Sequence, residues 1–174
     1  MTLTSIAPTG VETYFHMNDI IVSKTNCQGI ITYANEVFLN VAGYSEGEVL
    51  GKPHNLIRHP DMPRCVFQFL WDSIKSGREI FAYVINLAKN GDHYWVHAHV
   101  TPTFDGEGRI IGYHSNRRVP EPTAVQKIIP IYHALTQAEA AAGTGAPALQ
   151  AGMDRLNSTL RDAGMDYDEF VFSL

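Results

Sequence analysis

The chain has 174 residues, 45% hydrophobic and 18% charged, enough to bury one sizeable core in one domain with an appended element. A formal net charge of −5 offers no basic field for nucleic acid or an anionic membrane surface. No apolar run reaches the roughly 20 residues of a membrane span, and "MTLTSIAPTG" lacks the basic-then-apolar order of a signal peptide. Cys27 and Cys65 form no metal-spaced or redox-spaced pair, which fits a reducing, cytoplasmic setting.

Residues 19–26 and 29–34 are β-rich runs around Cys27-Gln28-Gly29, which predicts a hairpin. Asn35 is a good N-cap for a short helix with Val37, Phe38 and Val41 on one stripe, ended by Gly43. Ser45 and Glu48 form a capping box for a second short helix, ending near Gly51-Lys52-Pro53. Val66, Leu70 and Ile74 then mark a longer helix that closes at Gly77. Three strands follow, at 79–88, 93–104 and 109–118, joined by the turns "KNGD" and "DGEG". Two strands, short helices and three strands predict an α+β domain over 19–118: a five-stranded antiparallel sheet with helices over one face. Residues 1–18 are expected to form a cap segment and 119–174 a helical extension. Within the extension, Pro130 is expected to kink or break the first helix and "QAEAAAGTGAPALQAG" to be a partly ordered linker. Leu149, Met153, Leu156 and Leu160 mark another helix, and Phe170, Phe172 and Leu174 alternate in the tail.

The stretch "HNLIRHPDMP" (54–63) concentrates polar groups between two prolines. It contains no P-loop and no nucleophile elbow. His54 and His59, five apart, make a weak metal pair, as do His97 and His99 with His114. A capped turn with Arg58 paired to Asp61 is the plain reading. The sharper one is a cofactor clamp, in which Arg58 holds a phosphate and His59 and Asp61 serve ribose hydroxyls or a second phosphate.

The segments "GYSEGEVLGKPHNLIRHPDMP" and "KNGDHYWVHAHVTP" closely resemble a PAS domain of the bacterial aerotaxis-receptor type, over about residues 18–118. The resemblance implies the PAS fold, noncovalent FAD, and a report of respiratory redox state to a signalling partner. It places cofactor contacts at Asn35, Arg58, His59, Asp61, Phe67, Trp71 and Asn86. Phe67 and Trp71, four apart, share a helix face and could wall a flat ring, although core packing alone would also explain them. Asn86 in an apolar strand needs partners, which a flavin's pyrimidine edge would offer.

Period-two alternation sends Phe81, Tyr83, Ile85 and Leu87 to the other sheet face, with Trp95, where the family usually has polar groups. That face must be covered. A homodimer, or a signalling protein such as a chemoreceptor, is the expected cover, with residues 10–18 packed nearby and 147–174 as the alternative. No acid pair or base–nucleophile pair suggests an enzyme. The competing readings are a haem oxygen sensor using His54 or His59, a cofactor-free dimerisation module, and an adduct-forming photosensor, which would need Cys65 to reach the ring.

Overall fold

A computed structural model describes residues 6–174; residues 1–5 of the expected cap segment lie outside the described residues. Strands β1 (Ile21–Thr25) and β2 (Ile31–Ala34) form the expected hairpin, followed by helices α1 (Glu36–Ala42) and α2 (Glu46–Val49). A 3₁₀ turn over His54–Ile57 leads into α3 (Arg64–Lys75), and then come β3 (Ile80–Leu87), β4 (His93–Phe104) and β5 (Ile110–Arg118). All pairings are antiparallel, in the order β2-β1-β5-β4-β3.

The local signals have the expected causes. Asn35 Oδ1 accepts the Phe38 N–H and the Val22 N–H, and Asn35 Nδ2 donates to Ile20 O. One side chain thus caps α1 and ties it to the start of β1. Ser45 and Glu48 complete the capping box of α2. Apolar residues of the helices, including Phe38, Val49, Val66 and Ile74, pack with Ile21, Ile80 and Val96 of the sheet in one buried core.

The extension departs from expectation in three ways. First, α4 runs unbroken over Pro122–Ala141 with Pro130 inside it. The ring removes one backbone donor, but Ile128, Tyr132 and Leu135 are buried on either side of it, and that packing holds the helix together. Second, the alanine-rich stretch is ordered: it finishes α4, turns at Ala142–Gly145 and starts α5 (Ala146–Ala163). Alanine is the strongest helix former, so its abundance here extends the helices. Third, the tail is a helix, α6 (Tyr167–Ser173), because Asp166 and Glu169 form a capping box.

The outer sheet face is covered by the chain's own helices, α4 and, from the alternative cover 147–174, α6, and not by the expected second protomer. The Tyr132 hydroxyl of α4 donates to Tyr83 O, and its ring lies 6.1 Å from that of Trp95. From α6, Phe172 packs 4.8 Å from Phe81. Tyr83, Ile85, Leu87 and Trp95 are all buried in the single chain, so this face is not free for a homodimer contact. Residues 10–18 do pack nearby: Thr13 N–H donates to His93 O and His93 N–H to Val11 O.

Candidate functional site

The inner face of the sheet and α3 enclose a cavity of about 280 Å³. Two walls are aromatic or aliphatic: Phe67, Leu70, Trp71 and Ile74 from α3, and Val84, Ala98 and Val100 from the sheet. The spacing i, i+3, i+4, i+7 puts the α3 residues on one face, and alternation turns Val84 and Asn86 inward together. Trp71 also meets Tyr113 edge-on at 5.5 Å. Gly29 of the first hairpin takes φ +77°, and a Cβ there would lie 2.9 Å from the Trp71 ring, so only glycine leaves the indole in place.

The polar groups of this cavity are under-supplied with partners. Of eight buried side-chain atoms without a hydrogen-bond partner among the described residues, four belong to lining residues: Thr25 Oγ1, Asn86 Nδ2, Ser115 Oγ and Arg117 Nη1. Buried polar groups are rarely left unpaired, so four on the residues around one cavity single it out as the candidate site.

Arg117 is the residue that the sequence reading missed. It is 3% exposed and is the one charged residue lining the cavity among those described. Its Nη2 donates to Ser23 Oγ (2.6 Å) and to His54 Nε2 (2.7 Å), and its guanidinium lies 5.5 Å from the centre of Phe38. Burial and the neighbouring Arg117 charge push the His54 pKa down to about 3, so the ring is neutral and accepts at Nε2. Burial also lowers Arg117, to about 10, which leaves it cationic at neutral pH. Alternation from Tyr113 through Ser115 to Arg117 was the available signal that this side chain points inward.

The predicted site residues divide into three groups. Phe67, Trp71 and Asn86 line the cavity together. Arg58 stands beside it: its main chain bridges to Asn86, Nη2 donates to Met62 O (2.8 Å), and the guanidinium lies 5.3 Å from the Phe67 ring centre. Its Nε has no partner among the described residues. Asn35, His59 and Asp61 are elsewhere. Asn35 spends its side chain on the backbone, as described. His59 and Asp61 line a second cavity of about 370 Å³ between the outer sheet face, α4 and the N-terminal segment. There His59 Nδ1 accepts the Asp61 N–H, its ring meets His93 at 5.7 Å, and burial lowers its pKa. The Asp61 carboxylate points to solvent and is not bonded to Arg58.

Neither cysteine lines the first cavity. Cys65 is buried against α5, and burial together with the neighbouring Glu139 carboxylate pushes its thiol up to about 12. Among the described residues no group of three or more His, Cys, Asp or Glu is arranged to hold a metal ion. His97 and His99 instead stack on Tyr83 and Phe81 under α6.

Comparison with known proteins places this architecture. The family model described as "PAS fold" matches residues 31–117. The aerotaxis receptor of Escherichia coli (strain K12) is 43% identical over 115 residues, which is 66% of this chain and 22% of that protein. A nitrogen fixation regulatory protein of Klebsiella pneumoniae is 28% identical over 99 residues, 57% of this chain and 20% of that one. The chain therefore spans about a fifth of the length of these curated relatives. Among solved structures, the dark structure of the blue-light photoreceptor Aureochrome1 LOV superposes with a TM-score of 0.58 at 19% identity, covering 66% of this chain and 85% of that one. The light-state dimer of the fungal photoreceptor Vivid gives 0.52 at 23% identity, covering 62% and 82%. The matched segment holds α3, four of the five strands and most of the cavity lining, and by it the chain belongs to the PAS family.

Proposed function

We propose that this PAS sensory module holds a flavin noncovalently, as FAD in the form its resemblance to the aerotaxis type implies, and passes the flavin's redox state by contact to a signalling partner. The observation that carries this reading is an aromatic-walled cavity, four of whose lining residues each hold a buried polar atom without a partner. A flat ring with hydrogen-bonding edges satisfies both features. The cavity lies at the small end of ligand pockets, about 300 Å³, so it suits the ring, while a ribityl and phosphate tail would extend beyond it.

In this reading Phe67 and Trp71 stack on or against the ring, and Asn86, Ser115 and Thr25 bond its polar edges. A bound flavin supplies reversible electron uptake at that ring. Arg117 provides the one cationic charge, held in orientation by neutral His54 and by Ser23, and so favours added negative charge nearby. Arg58, its guanidinium 5.3 Å from the Phe67 ring centre, is the cation assigned to a phosphate. Asn35 supports the fold at the α1 start, and His59 and Asp61 shape the loop that carries Arg58.

Haem is the weaker reading, because His54 Nε2 already accepts from Arg117 and His59 faces the second cavity. An adduct photosensor lacks a cysteine on the cavity wall. No helix among the described residues is long and apolar enough to cross a membrane.

Titration with riboflavin, FMN and FAD, followed by quenching of flavin fluorescence, tests the proposal. All three bind saturably, FAD and FMN more tightly than riboflavin. Arg58→Ala removes that advantage, worth about 1.5–3 kcal/mol or a ten- to hundredfold change. Asp61→Ala, at an exposed carboxylate, leaves it. Failure of every flavin to saturate would overturn the reading.

A further inference from the structure

Helix α3 lines the cavity with Phe67, Leu70, Trp71 and Ile74, yet its first turn has no cap of its own, because Pro63 precedes it without a side-chain acceptor. The acceptor comes from α4. Glu139 Oε1 accepts the Cys65 N–H (2.8 Å) and Oε2 accepts the Arg64 N–H (3.1 Å). Glu139 is 7% exposed, and among the described residues it belongs to no salt bridge. Burying a carboxylate without a salt-bridge partner is costly, and here charge-assisted bonds at the positive end of a helix, with attraction to Arg58 at longer range, offset that cost.

A third helix closes on the same point. A Cβ at Gly152 of α5 would lie 2.6 Å from Glu139 Oε1, 2.8 Å from its Cγ and 3.0 Å from Cys65 Cβ. The α5 backbone is therefore pressed directly onto the carboxylate, and α3, α4 and α5 meet there with no slack. Phe67 follows Cys65 by two residues and Trp71 by six. Any shift of the first turn moves the cavity wall.

We infer that Glu139 is a positioning residue: by holding the first turn of α3 it sets the aromatic wall of the cavity and couples occupancy of that cavity to the C-terminal helices. Coupling of this kind is reciprocal, so a ring lodged against Phe67 and Trp71 stiffens α3, Glu139 and Gly152 in turn. The same α4 covers the outer sheet face through Tyr132, which gives the coupling an output surface. The PAS segment matched by the family model ends at residue 117, so this link belongs to the extension. The inference rests on the proposed flavin reading for its ligand.

Hydrogen exchange of the full chain, measured with and without FAD, tests it. In the parent, FAD slows exchange of α5 amides around Gly152. Glu139→Ala abolishes that response and weakens FAD binding roughly tenfold, whereas Glu139→Gln, which keeps an acceptor oxygen, restores most of both. Gly152→Ala crowds the same carboxylate without removing it and produces the same loss, which serves if the Glu139→Ala protein does not fold. An α5 response to FAD in Glu139→Ala or Gly152→Ala equal to the parent's overturns the inference. If FAD does not bind the parent, the flavin reading fails by itself, and the positioning role is read without ligand. Exchange across Phe67–Ile74 is then faster in Glu139→Ala than in the parent and Glu139→Gln, and equal exchange in all three overturns the role.

Discussion

Arg117 Nη2 donates to His54 Nε2 over 2.7 Å, and among the described residues no carboxylate lines the cavity where the two meet. A cation facing a cavity without a carboxylate on its wall is suited to a ligand that gains negative charge. A favourable interaction of about 1.4 kcal/mol with the reduced form corresponds to about 30 mV for a two-electron couple. Arg117→Met should therefore lower the reduction potential of the bound flavin by about 30 mV or more in a potentiometric titration. An unchanged potential would place Arg117 out of reach of the ring.

His54 makes the fold sensitive to mild acid. Its folded pKa of about 3 lies below the unfolded value near 6.5, so below pH 6.5 only the unfolded chain takes up the proton. The stability that His54 contributes is present above about pH 6.5 and is lost progressively as pH falls towards 3. Between pH 7 and pH 5 that loss is about 2 kcal/mol. His59 and His97, both lowered by burial, add in the same direction. Urea unfolding at the two pH values should show this fall, and His54→Gln should flatten it by about 2 kcal/mol. An equally steep fall in the variant would remove His54 as its source.

On the outer face, Ile85→Glu puts a charge beneath α4 at a position that is 6% exposed. The substitution should destabilise the chain by about 3 kcal/mol or more and should speed exchange in α4, without a change of mass in light scattering. A halved mass with unchanged stability would instead identify this face as an interface between two copies.

Local signals were legible in the sequence wherever they acted locally. Asn35, the Ser45–Glu48 box and the Asn90-Gly91 turn each fix a boundary within a few residues, and the five strands fell within two residues of their predicted bounds. Phe67, Trp71 and Asn86 are named by the PAS resemblance, and helical spacing supports the shared face of Phe67 and Trp71; the structure puts all three on one cavity. What was hidden depends on contacts distant in sequence. Helix α4 tolerates Pro130 because the sheet buries Tyr132, a contact between residues 49 apart. The Glu139 cap acts 74 residues away from Cys65 and has no local spacing to reveal it. The Arg58–Asp61 pair suggested by proximity does not form, because Arg58 turns to Met62 O and Phe67. Asp166 and Glu169 form a cap that is local, but the alternation of Phe170, Phe172 and Leu174 points to an extended tail, and the cap prevails.

The absorption spectrum of the protein as purified tests the central claim most directly. Noncovalent flavin gives a band near about 450 nm that is released on denaturation and bleaches reversibly on chemical reduction. The Asn86→Ala protein keeps the band with a shifted potential. A Soret band in its place, or a colourless protein that takes up no added flavin, would contradict the account.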